Sequence, residues 1–262
     1  MKVKTNGIEL NYTVEGSGPW VVMSHSLACD LHMWDPQAAL LAKSYTVLRF
    51  DTRGHGKSDA PSGAYTFETL SDDAKALIDA LGIESCHWVG LSMGGMIGQV
   101  FALRHPALLR SLVLADTSSR YPAEARNLWD SRIATAREKG MDALVEGTLA
   151  RWFTDGFRSS NREVCARVEA MIRSTPVAGY VGCCHAIPTI NVTQRLKEIK
   201  CPTLVIVGEQ DTGTPVEMAR EIHVATPGSE LVIIPSAAHL SNLEQPEAFN
   251  QALSGFLAKR VN

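Results

Sequence analysis

At 262 residues the chain is long enough for one large α/β domain with a full core, and a second independent domain is not required. Hydrophobic residues make up 45% and charged residues 20%, with a formal net charge of −3, a balance that leaves no nucleic-acid footprint. No apolar run reaches the ~20 residues of a membrane helix and the first residues lack a signal-peptide core, so a cytoplasmic protein without nucleic-acid or membrane partners is expected.

Short β-branched runs flanked by Gly, Pro or Asp predict strands at 8–14, 20–24, 47–51, 87–91, 111–115, 203–208 and 230–235. Helix-length segments lie between the later ones, at 69–81, 93–105, 215–225 and 242–259. This alternation predicts a mostly parallel sheet with helices on both faces. The first two strands are separated only by Glu15-Gly16-Ser17-Gly18-Pro19, which is too short for a crossover and predicts an antiparallel hairpin at the sheet edge. Between 117 and 200 helical patterns such as 123–140 and 141–153 follow one another without a convincing strand. That stretch reads as a helical lid inserted into a core made of 1–116 and 201–262, over the carboxyl ends of the strands where such sheets bind ligands.

The six cysteines, at 29, 86, 165, 183, 184 and 201, are scattered through core-like sequence and are expected to be free thiols. Cys183-Cys184-His185 lacks the spacing that lets two thiolates converge on one ion, so no metal is expected.

Chemistry concentrates first at Trp88-Val89-Gly90-Leu91-Ser92-Met93-Gly94-Gly95, a G-x-S-x-G segment between a predicted strand and a predicted helix. In that context Ser92 sits on a sharp turn, and the flanking glycines let the helix cross close to the strand. A serine hydroxyl needs a base to take its proton and a carboxylate to orient that base. In this arrangement the chain order is Ser, acid, His, with the partners on loops after strands. His223 falls inside a helical pattern, whereas His239 follows a predicted strand through a loop, which makes His239 the base. Asp211 follows the strand before the His-bearing one and is the favoured acid. Asp116, at the end of another strand, is the substitute, with capping of the first lid turn as its alternative role.

The developing oxyanion needs two N–H donors. One is expected from the Met93 amide at the start of the helix, the other from the Leu27 amide in His25-Ser26-Leu27. His25 is expected to hold that loop. In Asp51-Thr52-Arg53-Gly54-His55-Gly56-Lys57-Ser58, the residues Asp51, Arg53 and His55 are expected to hydrogen-bond nearby backbone groups.

Taken in order, the hairpin, oxyanion loop, 51–58 turn, nucleophile turn, lid, Asp211 and His239 resemble the α/β-hydrolase family over essentially the whole chain. Within it, Ser24-His25-Ser26-Leu27, Met33-Trp34-Asp35-Pro36-Gln37, the tract 47–56, Gly90 to Gly95 and Arg151-Trp152-Phe153-Thr154 resemble 3-oxoadipate enol-lactonases. Those enzymes usually carry Asn where His25 stands and Gly where Ala28 stands. The resemblance implies a cofactor-free serine hydrolase opening an enol-lactone to 3-oxoadipate in aromatic catabolism, with a small lactone or ester as its partner. It also implies a cation for the substrate carboxylate, for which Arg151 is the candidate, with Trp152 as an apolar wall. The competing readings are a broad carboxylesterase and a small-molecule receptor with vestigial hydrolysis. No feature of the chain sets an oligomeric state. Activity is expected to rise as His239 loses its proton, near the ordinary histidine pKa of ~6.5.

Overall fold

A computed structural model describes residues 1–260. The strands are β1 (Lys2–Thr5), β2 (Ile8–Gly16), β3 (Trp20–Ser24), β4 (Thr46–Phe50), β5 (Cys86–Leu91), β6 (Leu109–Ala115), β7 (Thr203–Gly208) and β8 (Glu230–Ile234). They form one eight-stranded sheet in the order β1-β2-β4-β3-β5-β6-β7-β8. Every pairing from β4 to β8 is parallel, and only β1 with β2 and β2 with β4 are antiparallel. The fold is that of an α/β hydrolase with helices on both faces.

The predicted hairpin between the first two strands is wrong. β2 pairs with β4 and not with β3, which lies between β4 and β5. All but the first residue of β3 is buried, as befits a strand enclosed by parallel neighbours on both sides. The hairpin partner of β2 is β1, which carries too little apolar pattern to read as a strand. Its turn is Asn6-Gly7, both at positive φ (46° and 78°), the backbone that a two-residue hairpin loop requires.

The helices of the core are α1 (Asp35–Leu41), α2 (Phe67–Ala80) and α3 (Met93–Arg104). Helix α2 begins where the Thr66 hydroxyl accepts the Thr69 amide at 3.1 Å, and its buried face is Phe67, Leu70, Ala74, Leu77 and Ile78. Helix α3 is buried from Met93 through Ala102 and crosses tightly against the sheet. A Cβ on Gly94 would stand 2.1 Å from the Ser24 carbonyl oxygen, and one on Gly90 would stand 2.2 Å from the Gly94 oxygen. Glycine at these two positions is therefore a packing requirement of the Ser92 turn.

Between β6 and β7 the chain forms α4 (Ala125–Lys139), α5 (Val145–Trp152), α6 (Asp155–Ser160), α7 (Arg162–Ser174) and α8 (Val177–Ala186). The core resumes with α9 (Val216–Ala225), α10 (Ser241–Glu244) and α11 (Pro246–Ala258). The single helix predicted over 242–259 is thus two, broken at Gln245-Pro246, because proline cannot donate to the preceding turn.

One buried side chain joins the inserted helices to the core. Glu244 accepts the Thr154 amide at 3.0 Å and its hydroxyl at 2.5 Å with one oxygen, and the Ala238 amide at 2.8 Å with the other. Glu244→Ala would leave those donors without partners, at about 1 to 3 kcal/mol for each buried group. We expect a loss of at least about 2 kcal/mol in urea unfolding and a looser His239 loop; an unchanged midpoint would show that water replaces the carboxyl.

Candidate active site

Ser92 sits between β5 and α3 with φ 55° and ψ −115°, a left-handed conformation that costs a non-glycine residue roughly 1 to 3 kcal/mol. The surroundings hold it there: its amide donates to the Ala115 oxygen at 2.9 Å, and its carbonyl accepts the Gly95 and Met96 amides and the Thr117 hydroxyl. These bonds use only backbone atoms of Ser92, which frees the hydroxyl to face a cavity of about 160 Å³. Ser26, Leu27, Ser92 and His239 line the same cavity.

His239 lies on the loop after β8, packed so closely that a Cβ on Gly208 would meet the Ala238 oxygen at 2.1 Å. Its Nδ1 donates to Asp211 Oδ2 at 2.7 Å. Asp211 in turn accepts the Gly213 amide at 2.7 Å, the Thr214 amide at 3.0 Å and the Thr214 hydroxyl at 2.7 Å. Burial alone would raise the Asp211 pKa, but His239 and the Thr214 donors outweigh it and hold the carboxyl below the usual carboxylate range. For His239, burial pulls the other way and the Asp211 carboxylate outweighs it, so the imidazole is held above the ordinary histidine value. With Nδ1 engaged, Nε2 is the nitrogen available to the cavity.

Asp116 is close enough to feel both groups, but its oxygens are bonded elsewhere. Oδ1 accepts the Gly208 amide at 2.8 Å and Oδ2 the Ser241 hydroxyl at 2.5 Å. It therefore ties β6 to β7 and α10, and its side chain makes neither the bond to His239 of a substitute acid nor the capping bond that was its alternative role. Burial first, and the Asp211 charge second, push its pKa well above the carboxylate range, which disfavours its charged form beside Asp211. His223, on α9, is hydrogen-bonded to Ser229 beyond the helix and does not line the cavity.

The amides of Leu27 and Met93, at the loop after β3 and the start of α3, donate to no protein acceptor among the described residues. The Leu27 loop is held by two imidazoles. His25 bonds the Ser26 oxygen through Nδ1 and accepts the Thr52 amide on Nε2, while His55 accepts the Ala28 amide on Nε2. Burial pushes both imidazoles below the ordinary value, His55 to about 3, so both stay neutral and keep these acceptor roles. Ala28 has φ 57°, a backbone that glycine would adopt without strain. Asp51 accepts the Leu31 and Lys57 amides as expected, whereas Arg53 pairs chiefly with the carboxylate of Asp73.

Arg151 and Trp152 both line the cavity, and the Trp152 ring stacks near His239 with centroids 6.2 Å apart. The sequence reading missed Arg132, Trp129, Tyr121 and Tyr180, which line it too. The available signal was that Trp129 and Arg132 stand three apart, on one face of a predicted helix.

A family model for the alpha/beta hydrolase fold matches residues 19–246. A 3-oxoadipate enol-lactonase of Acinetobacter baylyi is 35% identical over 97% of this chain and 95% of its own length. Among solved structures, the enol-lactonase from Burkholderia xenovorans is 38% identical with a TM-score of 0.95, covering 98% of this chain and all of that one. A thermophilic esterase from Thermogutta terrifontis, solved with malate bound, is 31% identical with a TM-score of 0.95, covering 100% of this chain and 99% of that one. With its fold, its Ser92 turn and these relatives, the chain belongs to the α/β-hydrolase family, as a hydrolase resembling the 3-oxoadipate enol-lactonases.

Proposed function

We propose that the protein is a serine hydrolase of small lactones and esters, with 3-oxoadipate enol-lactone as its substrate in aromatic catabolism. The observation that carries this reading is the 2.7 Å bond from His239 to an ionised Asp211, in a cavity that also presents Ser92. In the reaction, Ser92 Oγ attacks the lactone carbonyl and its proton passes to His239 Nε2. The Leu27 and Met93 amides receive the oxyanion, and the α3 amino terminus favours the same charge. Collapse breaks the ring C–O bond, the enol oxygen takes the proton from His239, and the enol tautomerises to a ketone. Water then gives a proton to His239 and attacks the acyl-enzyme, which releases Ser92 and a carboxylate.

An enol is a better leaving group than an alkoxide, so acylation is fast, but this leaving group stays tethered and can recyclise. Residues 117–200 act as the lid that governs water entry, in keeping with the cavity positions held by Trp129, Thr148, Trp152 and Tyr180. The enol-lactonase relatives and the malate-bound esterase support a small acidic substrate. The test is kcat/KM on the enol-lactone against simple 4-nitrophenyl esters. A preference of at least about 100-fold for the lactone is expected, and equal values would make the protein a broad carboxylesterase. A single burst of product followed by tight retention would make it a receptor.

The pH profile carries a second expectation. The reaction needs neutral His239, and the Asp211 carboxylate raises its pKa, so less than half of the enzyme is competent at the ordinary value of 6.5. The acid limb of kcat/KM should have its midpoint above 6.5, and a midpoint below it would contradict the ion pair.

A further inference from the structure

Two guanidinium groups face the cavity from the inserted helices, Arg132 from α4 and Arg151 from α5. Arg132 lies over the Trp129 ring, 4.5 Å from its centroid, and Arg151 donates to the Thr148 hydroxyl at 3.2 Å. Neither is paired with a carboxylate among the described residues, in contrast to Arg49 and Arg53, which are paired with Glu15 and Asp35 and with Asp73. Burial, and after it the like charge of Arg132, make protonation of Arg151 less favourable than in water. Both line the same cavity as Ser92 and His239.

Two half-buried cations that repel each other without a counter-ion are a standing cost to the fold. An anion between them removes that cost, and a planar carboxylate matches the guanidinium fork. We propose that Arg132 and Arg151 together form a subsite for the free carboxylate of a small lactone or ester whose acyl carbonyl lies at Ser92, which makes Arg132 a specificity-determining residue. The assignment rests on the hydrolase reading, and it goes beyond the single cation expected from sequence. Trp152, next to Arg151 in the chain and stacked near His239, walls the space between the two ends.

The test compares two aryl esters that differ in one charge, mono-4-nitrophenyl glutarate and 4-nitrophenyl butyrate. The wild-type protein should prefer the anion, and the preference should shrink with added salt. In Arg132→Gln the ratio of kcat/KM for the anionic ester to the neutral one should fall about 10- to 100-fold, mostly through KM, with part of the loss restored in Arg132→Lys. A ratio that stays constant in Arg132→Gln would reduce Arg132 to a packing partner of Trp129 and overturn the subsite. Independently of any variant at Arg132, glutarate should inhibit wild-type turnover of the neutral ester competitively while glutaramide should not; equal inhibition by both would also overturn it. Calorimetric binding of glutarate to Ser92→Ala keeps the two readings apart. Binding that disappears in Ser92→Ala/Arg132→Gln, with neither ester hydrolysed by the wild type, would sustain the subsite and sink the hydrolase.

Discussion

Ser92→Ala is expected to lower kcat on lactones and esters by about 10⁴- to 10⁶-fold without loss of the fold. The two halves of that expectation have separate causes. Activity falls because the hydroxyl is the only atom removed, and the Thr214 hydroxyl, which also lines the cavity, lies on the Nδ1 side of His239 and donates to Asp211. Stability is retained because the hydrogen bonds recorded for Ser92 are made by its backbone, to Ala115, Gly95, Met96 and Thr117, and alanine preserves all of them. The φ of 55° remains strained in alanine, so the melting temperature should stay within a few degrees of wild type. Ser92→Gly should be as inactive but somewhat more stable, since glycine accepts that backbone without penalty. Burst kinetics with a 4-nitrophenyl ester and a thermal melt decide the matter. Turnover above about one hundredth of wild type in a folded Ser92→Ala protein would remove Ser92 from the chemistry.

The parts of the fold that were legible in the sequence are those where local pattern and tertiary role agree. The strands at 87–91 and 203–208 are mostly apolar and buried throughout because both faces of a parallel strand are covered, and they form as expected. The hairpin failed because chain proximity was read as pairing. A short loop between 16 and 20 can step over β4 to reach the next position in the sheet, and only the full strand order reveals that. The Asn6-Gly7 turn was the better local signal, but the Lys-rich strand before it hid the pairing.

At the candidate site, His239 and Asp211 were legible because each is a polar residue on a short loop after an apolar strand, and chain order did the rest. Glu244 was not, since a glutamate near the start of a helix reads as a solvated residue, and its burial follows from Thr154 arriving from a distant segment. Arg132 was hidden for the same reason. A helix as polar as α4 looks like an exposed one until the neighbouring helices and the sheet edge define a cavity beside it.

Asp211→Asn is expected to lower kcat by about 10⁴-fold, and Asp116 is not expected to compensate. An asparagine can keep Oδ1 on the Gly213 and Thr214 amides, which turns its amide nitrogen toward His239 Nδ1. That donor forces the imidazole proton onto Nε2, the atom that must take the proton from Ser92, so the base is present in the wrong tautomer. Asp116 cannot reverse this, because its oxygens hold the Gly208 amide and the Ser241 hydroxyl, and releasing either would unpin β6 from β7 or α10. Removing the Asp211 charge lifts only the lesser of the two causes that raise the Asp116 pKa; burial, the larger, remains. A carboxyl whose charged form is disfavoured offers an imidazolium little stabilising charge. Asp116→Asn alone should therefore change kcat by less than about tenfold, and the double variant should match Asp211→Asn. If Asp211→Asn instead kept activity within about tenfold of wild type and lost it only when Asp116 was also replaced, the acid would be Asp116, and the 2.7 Å bond between His239 and Asp211 would be an orienting contact alone.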